Sequence, residues 1–348
     1  MVEIWFAITA VMLTAYVVLD GFDLGAGALH LYAARTDRER RLVLAAIGPF
    51  WDGNEVWLLA VGGALFVAFP AVLASGLSNF YFAIFLVLWA LILRGISIEF
   101  RSHIEHPLWR TAWDAVFSIA SGILPVLFGA ALGNLLRGLP MDPQGGFSLA
   151  LFSHFAPRPP VGLLDWYTIA AGVFGLLAIA AHGATFLVWR TEGVVQVRSR
   201  RAAAWLYTGV ACLWPLTSVL TRIVNPDFFA VLPGRPLAWL STLVAVGGLA
   251  SVFIGLRTRR EFAAFLGSCA FLFGMLAATA ACMFPVMLRA IDDSTLSLTA
   301  YNASVPASSL RIALGWWLVG FPLAVAYFAL VFRIHRGKAV AAAGREGY

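Results

Sequence analysis

Charge is what this sequence has least of. Only 12% of its 348 residues are charged against 61% hydrophobic, and the mean hydropathy is +0.85, so no stretch is polar enough to fold as a separate soluble domain. Cysteine is almost as scarce. Cys212, Cys269 and Cys282 are odd in number, lie within apolar runs and form no C-x-x-C pair, which gives no basis for a disulfide framework or for a zinc or iron–sulfur site. Walker, Rossmann and nucleophile-elbow patterns are missing too, so a redox or catalytic centre belonging to this system is expected elsewhere. The net charge of +6 does not point to nucleic acid, because the basic residues stand in short groups at the ends of apolar spans rather than along one face.

What is present is a chain made for lipid, an all-α polytopic membrane protein. A bilayer core of about 30 Å is crossed by about 20 apolar helical residues. Nine such spans are expected, near 4–31, 50–73, 80–98, 113–136, 166–188, 202–223, 237–256, 262–288 and 310–332. Eighteen of the 24 Lys and Arg fall on one side: Arg35 to Arg41, then Arg94, Arg101 and Arg110, then Arg190 to Arg201, Arg257 to Arg260, and Arg333 to Arg345 with Lys338. Arg137, Arg158, Arg222, Arg235, Arg289 and Arg311 fall on the other. By the positive-inside rule the N-terminus is outside and the C-terminus cytoplasmic, which an odd number of spans satisfies. Glu3 replaces the basic start of a signal peptide and the first apolar stretch is too long for one, so this span is expected to be retained. The longest external segments, 138–165 and 292–309, have a turn-forming composition that serves either a cap over a site or a plain connector.

Against this background, carboxylates at membrane depth stand out. Each costs roughly 2.5–3.5 kcal/mol on insertion scales and is kept where it faces protein, water or a partner. Tyr16, Asp20, Asp23, Gly27 and His30 recur at spacings of four and three, which puts them on one stripe of helix 1. Asp20 and Asp23 then lie ~24–29 Å along the helix, towards its cytoplasmic end. They are either interfacial residues satisfied by Arg35 or Arg38, or a pair that shares a proton, since two carboxylates three residues apart cannot both ionise cheaply in a low dielectric. Thr36 and Glu39 have capping-box spacing, so a short basic helix is expected from about Asp37, lying in the interface. Gly48-Pro49 is the natural corner into helix 2, whose first two turns hold Asp52 and Glu55. Those acids suit a helix N-terminus as well as a proton entrance. Trp51 and Trp57 suit an interfacial belt. Gly21 with Gly25, Gly129 with Gly133, and Gly62-Gly63 permit close approach of helices or of another subunit.

Haem requires an axial ligand at membrane depth. His30, His103, His106 and His335 lie at cytoplasmic ends and His154 in an external loop; only His182 falls inside a span, where a hydrogen-bonded core role serves it equally well. No haem or metal is therefore expected on this chain. A cation-coupled secondary transporter, binding its cation at Asp20, Asp23 and Asp52, is the competing class, but these acids sit near one surface instead of at midplane and no matched pair of broken helices is evident.

The runs Leu19-Asp20-Gly21-Phe22-Asp23-Leu24-Gly25, Gly48-Pro49-Phe50-Trp51-Asp52-Gly53-Asn54-Glu55-Val56-Trp57 and Gly62-Gly63-Ala64-Leu65-Phe66 closely resemble subunit II of the cytochrome bd quinol oxidases, including the cyanide-insensitive type. Trp113-Asp114, the run from Gly133 to Pro140, Phe284-Pro285, Ser297-Leu298-Thr299 and Asn302-Ala303-Ser304 extend the likeness to the loop before helix 9. The resemblance implies nine helices arranged as two four-helix bundles plus a peripheral helix. On that plan 1–136 is the first bundle, 137–165 an external loop, 166–288 the second bundle, 289–332 an external loop with the last helix, and 333–348 a basic tail. It also implies a heterodimer with a haem-bearing subunit I that carries two haem b and one haem d, oxidises quinol and reduces oxygen to water with cytoplasmic protons. A small single-helix subunit and membrane lipids are further candidate partners, and a bacterial cytoplasmic membrane is the implied location. Asp52 corresponds to the family's proton-path mouth, with Asp23 and Asp20 as companions and Tyr16, Glu55 and Glu99 as weaker candidates. Some relatives have glutamine at the position of Glu55 and aspartate at that of Glu99.

Overall fold

The computed structural model describes residues 1–340, so Arg345 and the rest of the tail beyond 340 lie outside the described residues. The chain is almost wholly helical. Helix α1 (Val2–Ala28) breaks at Leu29 into the single turn α2 (His30–Ala33), followed by α3 (Asp37–Ile47), α4 (Trp51–Ala68), α5 (Pro70–Asn79), α6 (Tyr81–Phe100) and α7 (Pro107–Arg137). After a loop come α8 (Trp166–Arg190), α9 (Gly193–Val224), the short α10 (Pro226–Ala230), α11 (Pro236–Arg257), α12 (Glu261–Met283) and α13 (Ala307–Ile334). Two small sheets lie in the loops: β1 (Ala150–Phe152) pairs in parallel with β2 (Gly162–Leu164), and β3 (Val286–Leu288) pairs antiparallel with β4 (Leu298–Thr299).

Among the described residues eight helices are long and apolar enough to cross a membrane. The expected span near 50–73 is not among them. Its start carries Asp52, Asn54 and Glu55, and Pro70, which cannot donate an amide and pushes Phe69 out of the helical region to φ −136°, ψ 58°, divides it into α4 and α5. Other ends follow the sequence closely. The Thr36 hydroxyl accepts from the Glu39 amide at 3.3 Å while the Glu39 carboxylate accepts from the amides of Arg35 and Thr36 at 2.7 and 3.4 Å, the predicted capping box of α3. The Arg35 amide, before any other group, holds the Glu39 carboxyl below its usual range.

Helix α1 is the axle of the molecule, packed on α4 and α7 and also on α8 and α12. Gly25 makes this possible: a Cβ there would stand 2.0 Å from the Ile179 carbonyl oxygen and 2.7 Å from the Gly183 nitrogen, so α1 and α8 meet backbone to backbone. Gly62 and Gly63 pack against no helix among the described residues, for nothing lies within 4 Å of a Cβ at either, which leaves of that expectation the approach of another subunit. Helix α13 buries only Leu310, and large apolar side chains such as Leu59, Trp205 and Trp316 are about three-quarters exposed, as befits a surface covered by lipid or another subunit.

The arginine-rich ends gather on one side. Asp114 near the start of α7 accepts from His30 Nε2 at 2.7 Å, Arg40 Nη1 at 2.9 Å and Arg101 Nε at 2.6 Å, and Asp37 pairs with Arg101, Arg110 and Arg41. Arg198 of α9 joins the same side through Glu39 at 2.7 Å. Arg94 does not belong with these loop charges. It lies inside α6, fully buried.

Candidate functional site

The stripe on α1 comes together as expected: Tyr16, Asp20, Asp23 and His30 are each at most 2% exposed. His30, just past the break at Leu29, is bonded to Asp114 of α7, while the partners of Asp20 and Asp23 come from α6 and α4. Arg94 grips Asp20 with both ends of its guanidinium, Nη1 to Oδ2 at 2.9 Å and Nη2 to Oδ1 at 2.8 Å, and Nη2 also reaches Glu55 Oε2 at 3.2 Å. The Trp51 ring lies under the same guanidinium, 6.0 Å from its carbon. Asp23, less than a turn further along α1, makes no ion pair among the described residues. Asn54 Nδ2 donates to Asp23 Oδ2 at 2.7 Å and to the Leu19 carbonyl at 3.1 Å.

Asp20 and Glu55 thus share one guanidinium inside an apolar body, with Asp23 beside them, and the bidentate fork commits most of that charge to Asp20. Asp23 Oδ1 and Asn54 Oδ1 are buried with no hydrogen-bond partner among the described residues. Asp23 Oδ1 can take a proton, and Asn54 Oδ1 can accept from a water, without first breaking a protein hydrogen bond.

Asp52 stands apart from this cluster. It is exposed in the first turn of α4 and makes no ion pair with Arg94, yet Glu55, one turn on, is 27% exposed and bonded to Arg94. The order along α4 is therefore surface acid, half-buried acid, buried pair. Glu99 is exposed at the far end of α6. Arg35 and Arg38, one proposed source of charge balance for Asp20 and Asp23, do not contact them; Arg94 fills that place. The signal for Arg94 was available, because it sits within the apolar span 80–98, where a lone cation needs a buried anion as much as the aspartates need a cation.

His182 is the histidine at membrane depth, and both its ring nitrogens are engaged. Nε2 donates to the Val18 carbonyl at 2.9 Å, while Nδ1 meets Ser268 Oγ, which in turn accepts from the Tyr207 hydroxyl at 2.6 Å. The ring is stacked on Phe265 at 5.4 Å. Both nitrogens are thus held as those of a hydrogen-bonded core residue.

On the opposite side Arg137 pairs with Asp165, the N-cap of α8, and donates to the Gly162 carbonyl at 3.0 Å. Arg289 Nη1 reaches the Arg137 carbonyl at 2.8 Å, which ties the end of α7 to the chain that follows β3.

Comparison with known proteins agrees with the motifs. The sequence profile described as cytochrome bd terminal oxidase subunit II matches residues 1–335. The chain is 33% identical to cytochrome bd-I ubiquinol oxidase subunit 2 of Escherichia coli (strain K12), across 94% of this chain and 92% of that protein. It is 32% identical to cytochrome bd ubiquinol oxidase subunit 2 of Bacillus subtilis (strain 168), across 89% and 88% respectively. In shape it is similar to a chain of the bd oxidase from Geobacillus thermodenitrificans, with a TM-score of 0.74 at 15% identity, covering 96% of this chain and 98% of that one.

Proposed function

The chain belongs to the cytochrome bd terminal oxidase subunit II family, and from that premise we propose that it brings cytoplasmic protons to a haem-bearing subunit I. Subunit I would carry two haem b and one haem d, and the complex would oxidise quinol and reduce oxygen to water. This chain would hold no haem, in keeping with the engaged nitrogens of His182. In this reading it crosses a bacterial cytoplasmic membrane nine times, α4 with α5 supplying the ninth crossing, with the N-terminus outside. Helices α1, α4, α6 and α7 form one bundle, α8, α9, α11 and α12 the other, and α13 lies at the periphery. Family membership favours the oxidase over a cation-coupled transporter.

The observation that carries the proton path is the sequence of acids on α4. Exposed Asp52 collects a proton, Glu55 receives it one turn inward, and the Asp20–Arg94 pair with Asp23 lines the interior. Arg94 keeps a positive charge beside these carboxyls, which lowers the cost of holding them inside the apolar body.

The test is Asp52→Asn in the two-subunit complex, which keeps volume but removes the exchangeable proton. Oxygen uptake with a soluble quinol and generation of membrane potential should slow while the haem spectrum is unchanged, and Asp52→Glu should keep part of the rate. Full activity in Asp52→Asn would refute the entrance. Loss of haems along with activity would instead assign Asp52 to the helix cap. A second measurement addresses the cofactors: the chain expressed without subunit I should lack b- and d-type absorption, and stoichiometric haem in that preparation would overturn the haem-free reading.

A further inference from the structure

The chain leaving α13 turns back under the second group of helices. Gly337 adopts φ +104°, a conformation open to glycine, and the turn sends residues 338–340 towards the end of α8. There Lys338 Nζ donates to the carbonyls of Val188 and Thr191 at 3.3 and 3.1 Å, filling the acceptor positions that a helix C-terminus leaves open. It also pairs with Glu261 in the first turn of α12, which takes Gln196 Nε2 at 2.7 Å and Arg200 Nη2 at 2.9 Å from α9. Arg190, the last residue of α8, completes the closure. Its guanidinium donates to the carbonyls of His335 and Gly337, and its own carbonyl accepts from the Ala339 amide at 2.6 Å.

The other side of Arg190 faces the acidic motif. Its guanidinium carbon lies 5.5 Å from the centre of the Phe50 ring. Phe50 is stacked on Phe332 at 4.6 Å and meets His335 edge-on at 6.0 Å. It is also the N-cap of α4, two residues before Asp52. We infer that residues 335–339 form a clasp that sets the first turn of α4, and that Lys338 and Arg190 are positioning residues for proton uptake at Asp52; this rests on the role proposed above for Asp52. Because α13 fully buries only Leu310, its final turn rests on the half-buried Val331 and Phe332 and on the clasp, which keeps Phe332 against Phe50.

The experiment uses the assembled complex with Lys338→Gln, Lys338→Arg and Asp52→Asn/Lys338→Gln, and reads oxygen uptake against pH beside the haem spectrum. Lys338→Gln should keep its haems and its quinol KM but lose at least about threefold in kcat at alkaline pH, where proton capture limits, a modest part of what positioned proton transfer supplies. Lys338→Arg should restore the rate. The double variant should be no slower than Asp52→Asn alone. A spin label at Ala339→Cys should become mobile in Lys338→Gln. If the label is freed while the pH profile of kcat stays that of the parent, the clasp does not position the entrance. Loss of rate only in step with loss of haem would equally overturn it. Failure of the underlying reading is read elsewhere, in an Asp52→Asn complex as active as the parent.

Discussion

Arg94 is the residue on which the buried cluster depends. Removing one partner of a buried ion pair leaves an uncompensated charge and costs about 3–5 kcal/mol, whereas removing both together costs far less. Arg94→Gln should therefore lower the yield of haem-loaded complex and its thermal midpoint, while Asp20→Asn combined with Arg94→Leu should recover much of the loss. A double variant no better than Arg94→Gln would show that the pair is not coupled. Lysine should substitute only in part, since a point charge cannot reproduce the fork to Asp20 and reach Glu55 as well. Glu55→Gln, by contrast, should leave assembly intact and most oxygen uptake in place. Its amide oxygen can still accept from Arg94 Nη2, and Asp52 can deliver its proton through a water instead. A Glu55→Gln complex as slow as Asp52→Asn would make Glu55 a necessary relay.

Elements were legible wherever the signal was local. The stripe on α1, the capping box of α3 and the corner at Gly48-Pro49 each rest on residues within a turn or two of each other, and each is found. The division of α4 from α5 was missed although Pro70 announces it, because the count of apolar residues ran on past the proline. Arg94 was misplaced because its partner is 74 residues away and no local pattern joins α6 to α1. The acids near Asp52 could be found, but which of them is buried could not, since that is decided by how α1, α4 and α6 pack. The glycines make the same point in opposite directions. Gly25→Val should part α1 from α8 and prevent assembly, because a side chain there meets backbone that cannot yield. Gly62→Val and Gly63→Val meet nothing in this chain, so they should leave the isolated subunit stable and reduce its recovery with subunit I in a pull-down. Unchanged recovery would place the Gly62-Gly63 face against lipid.

For the whole molecule the decisive matter is which way it faces. Two separate sets of polar ties mark its ends. One joins Arg40, Arg101 and Arg110 to Asp37 and Asp114, Arg198 to Glu39, and Lys338 to Glu261; the other joins Arg137 to Asp165 and Arg289 to Asp227. Asp52 stands at the first of these ends, at the start of α4. The positive-inside rule reads that arginine-rich end as cytoplasmic, and the proposed direction of proton uptake follows from it. The prediction can be made with two cysteines in a chain whose Cys212, Cys269 and Cys282 have been replaced: Arg158→Cys in the loop 138–165 and Arg259→Cys in the turn between α11 and α12, both at exposed positions. A membrane-impermeant maleimide added to intact cells should label position 158, and should reach 259 only after the membrane is opened. The reverse pattern would turn the molecule over. Asp52 would then face the outside, a proton taken up there would come from the wrong side to add to the membrane potential, and both the topology and the proton path would fall together.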